Sequence, residues 1–137
     1  MKNKNFGPTL IRQVRATEQN FRGNETSLTV YEQCSFSECD LGRAKFYSCV
    51  FSGCSFSGAN LASAKFLNCR FENCCFLGAN LYSCELDECL FVECSFFGAN
   101  GNYVFTDKHT LFDNCAHLER LSVSPFFEQP EVETLND

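Results

Sequence analysis

Eleven cysteines are the residues of this 137-residue chain with the greatest chemical potential. Thiolates bind zinc, and pairs of thiols form disulfides. Zinc ligands usually lie two to four residues apart, but neighbouring cysteines here, such as Cys49 and Cys54, are five apart. Alanine takes the place of cysteine at equivalent positions, so small size is the property they share. We interpret the cysteines as reduced core residues and keep a metal or redox role as the alternative.

Two cysteines need separate treatment. Cys75 falls at a position predicted to point outward, which makes it the thiol most open to oxidation or crosslinking. Cys115 lies near His109 and His117, but one cysteine and two histidines in a terminal segment are a weak basis for a metal site. We predict no metal and no cofactor.

No arrangement typical of an enzyme is found. The chain has no nucleophile elbow, phosphate-binding loop or His-Glu-x-x-His motif. The neighbouring acids Glu85, Asp87 and Glu88 are more typical of a solvated face than of an acid/base pair. A catalytic serine needs a base nearby, so the outward serines are predicted to be turn residues: Ser35, Ser37, Ser55 and Ser57. We predict a non-enzymatic protein.

A five-residue repeat predicts the elements that position these residues. From Cys34 onward the blocks read CSFSE CDLGR AKFYS CVFSG CSFSG ANLAS AKFLN CRFEN CCFLG ANLYS CELDE CLFVE CSFFG AN. The first position is only Cys or Ala, and the third is only Phe or Leu. This period fits neither a helix nor a single strand. It predicts a solenoid that turns a corner in every block, with the first and third residues pointing inward.

Every fourth block is alike, so the complete repeat is 20 residues and four blocks form one square coil. Coils should stack at about 4.8 Å, which places identical residues above one another. The column of first-position residues, which are only Cys or Ala, cannot accept larger side chains without overpacking. The predicted core consists of Cys34, Phe36, Cys49, Phe51, Cys54, Phe56, Leu61, Phe66, Cys69, Phe71, Cys74, Phe76, Leu81, Cys89, Phe91, Cys94 and Phe96.

Blocks such as ANLAS, ANLYS and CDLGR resemble those of the pentapeptide-repeat proteins, whose fold is a right-handed quadrilateral β-helix. The resemblance covers residues 34–100 closely and extends upstream through Phe21, Thr26 and Tyr31. It implies an all-β fold of four to five coils. The Cys- and Phe-rich composition is similar to the quinolone-resistance branch, whose members bind DNA gyrase as mimics of duplex DNA.

The ends of the repeat define the other segments. We assign residues 1–20 to an N-terminal cap with apolar contacts from Phe6, Leu10, Ile11 and Val14, and residues 21–101 to the β-helix. The five-residue pattern fails at Gly101, where the column of third-position residues predicts leucine. Residues 102–123 are predicted to form a C-terminal cap with a short helix that begins after an N-cap at Thr106-Asp107, and 124–137 an acidic, disordered tail. The resemblance also implies a homodimer through the C-terminal segment.

The surface offers two candidate partner-binding features. A net charge of −6 argues against direct binding to nucleic acid. Lys65 and Glu85 are predicted to pair across coils, and Arg70 interrupts the acidic stretch. Five acids gather towards the C-terminal end, either as a stripe that mimics DNA or as ordinary solubilising charge: Glu72, Glu85, Asp87, Glu88 and Glu93. Leu77 and Phe97 make one outer face apolar, to be covered either by the segment after residue 101 or by a partner.

Two functions follow as hypotheses. The resemblance and the acidity together imply a DNA mimic that binds DNA gyrase or a related topoisomerase. The alternative is a rigid scaffold for protein–protein contact with no link to topoisomerases. The chain shows neither a secretory signal nor an apolar run of about 20 residues, so we expect a cytoplasmic protein without membrane contact.

Overall fold

The structure, a computed structural model, describes residues 8–123. Its twelve strands in this range pair in parallel to form two six-stranded sheets. The strands are β1 (Thr9–Arg12), β2 (Glu25–Ser27), β3 (Thr29–Glu32), β4 (Lys45–Tyr47), β5 (Val50–Ser52), β6 (Lys65–Leu67), β7 (Arg70–Glu72), β8 (Glu85–Asp87), β9 (Leu90–Val92), β10 (Gly101–Thr106), β11 (Leu111–Asp113) and β12 (Leu121–Val123). A 3-10 turn covers Leu118–Arg120. Odd-numbered strands β1–β11 form one sheet, and β12 joins the even-numbered strands in the other.

Each coil has four sides. Two sides carry the sheets, in which Phe46 lies in register with Phe66 on one side and Phe51 with Phe71 on the other. The other two sides are held by single-residue parallel bridges, such as the one between Ser35 and Ser55. We call these the bridge sides. The all-β solenoid expected from the 20-residue repeat is confirmed.

The predicted number of coils was too low. Each sheet has six strands, which corresponds to about six coils instead of four to five. The ladders continue at both ends, since β1 pairs with β3 and β11 with β9. Backbone pairing does not require the Cys/Ala and Phe/Leu pattern, so it extends into irregular sequence.

The predicted C-terminal helix is wrong. Its residues form β11, the single 3-10 turn and β12. One extra residue hides the repeat, because Phe105 pairs with Glu85 at a separation of 20, but Leu111 pairs with Leu90 at 21. The apolar spacing that suggested a helix belongs instead to another coil. The predicted tail at 124–137 and the Phe6 contact lie outside the described residues.

Gly101 interrupts the leucine column because β12 crosses it. Leu121 pairs directly with Gly101. A Cβ atom at this position would collide with the backbone carbonyl of Arg120. The glycine therefore allows the last strand to close over the coil beneath it.

Stacked rings fill the centre of the solenoid. The longest column runs from Tyr31 through Phe51, Phe71 and Phe91 to Phe112, with ring centroids 4.5–5.0 Å apart. Neighbouring columns meet edge to face, an arrangement that favours aromatic pairs. All the predicted core residues are buried in the structure.

Two kinds of corner explain why some small positions are Ala and others Cys. At corners of the bridge sides a backbone hydrogen bond closes the turn, as from Ala59 N to Phe56 O at 3.0 Å. Corners after the three-residue strands have no such closing bond within residues 8–123. There the thiol donates to carbonyls of the strands, as from Cys69 Sγ to Phe46 O at 3.4 Å or to Leu67 O, at the end of β6, at 3.5 Å. Cys39 and Cys84 occupy closed corners, so the correlation has exceptions.

The same column accepts threonine at both ends. Thr29 and Thr110 are buried above and below Cys49, Cys69 and Cys89. Thr110 Oγ1 lies 2.8 Å from Leu86 O and 2.9 Å from Asp107 Oδ1, which share its single proton, and it accepts from Cys89 N at 3.2 Å. The position therefore needs a small side chain with a polar atom.

The open corner at Cys69 predicts a ranking of substitutions there. Cys69→Ala should lower the free energy of unfolding by about 1–2 kcal/mol, through lost packing and a lost hydrogen bond. Cys69→Thr should cost less than Cys69→Ala, because its hydroxyl can reach the same carbonyls. The measurement is urea unfolding, with the outward Cys75→Ala as the control that changes stability by less than about 0.5 kcal/mol. Equal effects of Cys69→Ala and Cys75→Ala would contradict this explanation.

Candidate partner-binding surface

The acidic residues predicted as partner contacts lie on two sheet sides and their corners. Glu85 and Asp87 belong to β8, and Glu88 follows at the corner. Glu72 ends β7, and Glu93 follows β9. The structure therefore brings Glu85, Asp87 and Glu88 together and leaves Glu72 and Glu93 on the neighbouring side.

Asp107, which the five-residue pattern does not reveal, completes this group. Its Oδ1 accepts a hydrogen bond from Glu88 N at 3.1 Å. Partial burial opposes ionisation, but hydrogen bonds from Glu88 N, the Thr110 hydroxyl and His109 N lower the pKa of Asp107. We call Glu85, Asp87, Glu88 and Asp107 the acidic cluster. The assignment of residues 102–123 to a helical cap hid Asp107, and a search at the 20-residue step from Asp87 would have found it.

Within the acidic cluster, the surroundings of Asp87 oppose its ionisation. Partial burial and the charges of Asp107 and Glu85 raise the pKa of Asp87, against an opposing effect of Lys65. Burial is the first cause of this shift, and the neighbouring carboxylates of the cluster add to it.

Ion pairs compensate several of the acids elsewhere on the solenoid. Arg12 Nε lies 2.9 Å from Glu32 Oε1, and Lys45 Nζ lies 3.8 Å from Glu25 Oε2. Further pairs join Arg22 to Asp40, Arg70 to Glu72 and His117 to Glu119. Within residues 8–123, no pair within 4 Å involves the acidic cluster, although Lys65 is in register with Glu85. Arg70 therefore pairs with Glu72, and the four acids of the cluster lie together without an ion-pair partner within 4 Å among the described residues.

An apolar patch lies on the opposite bridge side. Leu77 and Phe97 occupy successive coils and are 46% and 57% exposed. The ring of His117 contacts that of Phe97 edge to face, with centroids 5.0 Å apart. The described residues after 101 continue the coils and leave this patch, which we define as Leu77 and Phe97, exposed. Tyr82 and Tyr103 extend the exposed apolar surface onto the next bridge side.

The cysteines fall into two groups that differ in burial. Cys75 and Cys115 are partly exposed, and the other nine are buried. Burial, with a contribution from the Glu85 charge, raises the pKa of the Cys84 thiol. A hydrogen bond with Cys94 and then burial raise the pKa of Cys115. Cys75 Sγ lies on a bridge side, 3.6 Å from Ser57 Oγ.

Metal ligands do not converge in the part of the chain that the structure describes. No three side chains of His, Cys, Asp or Glu there form a group that could hold a metal ion. His109 and His117 are exposed at different corners of the last coil, away from the half-buried Cys115. Also within residues 8–123, no helix has the length and apolar character needed to cross a membrane.

Comparison with known proteins identifies the family. The family model described as a pentapeptide repeat region matches residues 26–100, more than half of the chain. The chain belongs to the pentapeptide repeat family. A comparison with curated protein sequences finds no significant match.

Several solved pentapeptide-repeat structures share the fold. QnrB1, a plasmid-mediated fluoroquinolone resistance protein, is 21% identical with a TM-score of 0.71, over 82% of this chain and 58% of that one. Rfr23 from the cyanobacterium Cyanothece 51142 is 19% identical with a TM-score of 0.61, over 77% and 88%. A protein of the Arabidopsis thaliana thylakoid lumen is 18% identical with a TM-score of 0.62, over 68% and 63%. This chain thus spans little more than half of the QnrB1 structure, and the likeness establishes the fold alone.

Thiol reactivity should distinguish Cys75 from the other cysteines. With native protein and a disulfide reagent that releases a chromophore, we expect one fast-reacting thiol per chain. Cys75→Ser should abolish this phase, and the buried thiols should react only on unfolding, because the reagent has no access to them. A fast phase that survives in Cys75→Ser would show that another thiol is the accessible one.

Asp87 should give a pH-dependent stability change of defined sign. Because its pKa is raised in the folded state, its contribution favours folding when it is protonated and is lost as the pH rises through that pKa. Asp87→Asn should therefore raise the urea midpoint at pH 7 and bring little gain at pH 3. Glu38→Gln, at an exposed corner outside the cluster, is the control and should change neither midpoint.

Proposed function

We propose that this chain is a non-enzymatic binding protein that places its acidic cluster on a basic, DNA-binding surface of DNA gyrase or a related topoisomerase. The observation that carries the proposal is the contrast in charge compensation along the solenoid. Glu25, Glu32 and Asp40 of the first coils have cationic partners, whereas within residues 8–123 no member of the cluster has one within 4 Å. QnrB1, with its role in fluoroquinolone resistance, supports the choice of topoisomerases as the first partner to test.

Rigid spacing is what the fold contributes. Side chains on β8 stand above their counterparts in neighbouring coils at about 4.8 Å, so the carboxylates are held without the loss of much side-chain or loop entropy on binding. Six coils span roughly 24 Å, a short rod of compact cross-section. A basic groove shaped for duplex DNA would meet a surface with fixed negative charge.

The electrostatics predict how binding would depend on conditions. Carboxylates that approach a basic surface accelerate association, and this effect weakens as salt screens the charges. A partly buried acid such as Asp87, whose charge is disfavoured in the free protein, would gain from a cation supplied by the partner. Affinity should therefore fall as ionic strength rises.

The test is DNA gyrase supercoiling with the purified full-length chain, with and without a fluoroquinolone. We expect inhibition, or protection from the drug, in the micromolar range. The triple variant Glu85→Lys, Asp87→Lys and Glu88→Lys should weaken the effect at least tenfold, because like charges would then face each other. The control is the triple variant Glu18→Lys, Glu25→Lys and Glu38→Lys, which makes the same change in net charge among the first coils.

The outcomes separate the two parts of the proposal. No effect of the wild type on gyrase up to tens of micromolar would refute the topoisomerase partner. Equal losses in the two triple variants would show that total charge matters and the position of the cluster does not.

A second function, a rigid scaffold for protein–protein contact, is favoured by the apolar patch. Phe97 remains more than half exposed, and exposed apolar clusters mark interaction surfaces. Leu77→Ser with Phe97→Ser should abolish binding to a scaffold partner and leave a charge-driven complex intact, because the patch and the acidic cluster lie on opposite sides of the coil. Binding that survives Leu77→Ser with Phe97→Ser but is lost in the triple lysine variant of the acidic cluster would support the DNA mimic.

The proposed function requires a cytoplasmic protein that has access to topoisomerases and makes no direct contact with DNA or membrane. We further propose that the chain forms a homodimer through its C-terminal segment, which would lengthen the rod. Light scattering of the complete chain would measure its mass directly.

A further inference from the structure

The outward residues of the even-numbered strands carry charges in an order that is complementary to itself. One outward ladder consists of Glu25, Lys45, Lys65 and Glu85, which lie in register on β2, β4, β6 and β8. Two cations thus lie in the middle of this sheet side, and the acidic cluster follows towards its C-terminal end. We call the outward side chains of β2, β4, β6, β8 and β10 the charged face.

The cations on and beside this face are weakly engaged within one chain. Lys65 and Arg43, the latter at the corner before β4, have no ion-pair partner within 4 Å among residues 8–123. Lys45 Nζ lies 3.8 Å from Glu25 Oε2, and both of these side chains are exposed. Exposed pairs of this kind add little to stability. All three cations can therefore meet other groups at small cost.

A two-fold axis would place these cations opposite the acids of a second copy. An axis parallel to the strands that passes between β6 and β8 reverses the order of the coils in the partner. It sets β6 opposite the partner's β8, and β4 opposite the partner's β10. Lys65 then faces the partner's Glu85, and by symmetry Glu85 faces the partner's Lys65. Each favourable contact forms twice, because a two-fold interface uses the same patch on both subunits.

The flanking positions are complementary in the same register. Arg43 lies opposite the partner's Tyr103, and Tyr103 is an exposed ring that a guanidinium can cover. Tyr47 lies opposite the partner's Asp107, whose carboxylate can accept a hydrogen bond from the phenol. A shift by one coil would bring Lys65 against the partner's Lys65, so the charges select one register.

We propose that the charged face binds a second copy of this chain, antiparallel and sheet against sheet, in the register that joins Lys65 to the partner's Glu85. Sheets packed in this way lie about 10 Å apart, which lysine and glutamate side chains can bridge. One face of a rod roughly 24 Å long buries less than the roughly 1,000 Å² of a stable interface. The dimer is therefore weak, and salt weakens it further by screening the charges.

Such a dimer covers the acidic cluster. Its carboxylates would face groups of the partner and could not meet another basic surface at the same time. Protein concentration would thereby control how much of the cluster is exposed. The contact differs from the C-terminal one proposed above, and it does not depend on topoisomerase binding.

A charge swap tests the pairing. In Lys65→Glu, glutamates face each other at both contacts, and in Glu85→Lys, lysines do. Each variant alone should therefore bind itself at least about tenfold more weakly than the wild type does. A mixture of the two should bind well, because the new glutamate faces the new lysine and native Glu85 faces native Lys65. The measurement is binding of one full-length variant to the other, immobilised, at low salt.

The matched control is a mixture of Arg70→Glu and Glu72→Lys on the neighbouring sheet side, which makes the same changes in net charge. Any association through the C-terminal segment contributes equally to both mixtures. The ladder already holds both signs of charge, at Glu25 and Lys45, so the swaps should leave the urea midpoint nearly unchanged. Should a single reversal fold poorly, Lys65→Glu with Glu85→Lys in one chain keeps both signs and should bind itself as the wild type does.

Three results would overturn the proposal. A mixture of Lys65→Glu and Glu85→Lys that binds no better than either variant alone would show that these residues do not meet across chains. Equal binding in the control mixture would show that association does not use the charged face. Loss of self-binding in the folded double variant would exclude the proposed register. None of these measurements involves gyrase, so they leave the proposed function to its own test.

Discussion

Parallel stacking at one inter-strand spacing is the constraint on which this structure depends. Every residue of the central coils lies directly above the residue 20 positions earlier, so each inward column must be filled by side chains that pack on their own kind. Phe71 stacks on Phe51 below and Phe91 above, with centroids 4.9 and 4.5 Å away. A bulky side chain in a small column would meet its neighbours at a distance the backbone fixes, which explains the restriction to Cys and Ala.

The corners add a second requirement, because backbone groups buried at a turn need hydrogen-bond partners. Closed turns meet this need with backbone alone, and alanine suffices. Open turns rely on a thiol, as at Cys69. The turn at Thr110 has a backbone hydrogen bond from Thr110 N to Asp107 O at 3.3 Å together with a hydroxyl that lies 2.8 Å from Leu86 O. On one bridge side an amide ladder has a related role: Asn80 Nδ2 donates to Asn60 Oδ1 at 3.3 Å, and Asn60 Nδ2 donates to Asp40 Oδ1 at 3.0 Å.

The sequence predicted the central coils well, because period and column identity there follow directly from stacking. It failed at the ends, where the constraint relaxes. One extra residue before Thr110 removed the 20-residue register, so apolar residues of another coil resembled a helix. The helix predicted for this segment also concealed Asp107, which keeps the 20-residue register with Asp87. The distribution of ion pairs was equally hidden, since whether Lys65 reaches Glu85 depends on side-chain geometry that column position does not determine.

A lattice of this kind separates stability from function. The inward positions are committed to packing, so the outward positions can vary in charge and polarity at little cost in folding free energy. One ladder accordingly changes from Glu25 and Lys45, which pair, to Glu85, which has no ion-pair partner within 4 Å among the described residues. A bridge side changes from Ser57 to Leu77 and Phe97 over the same coils. On these outward ladders the C-terminal coils thus differ from the earlier ones where the fold leaves them free to differ, which is where a binding surface can be specified.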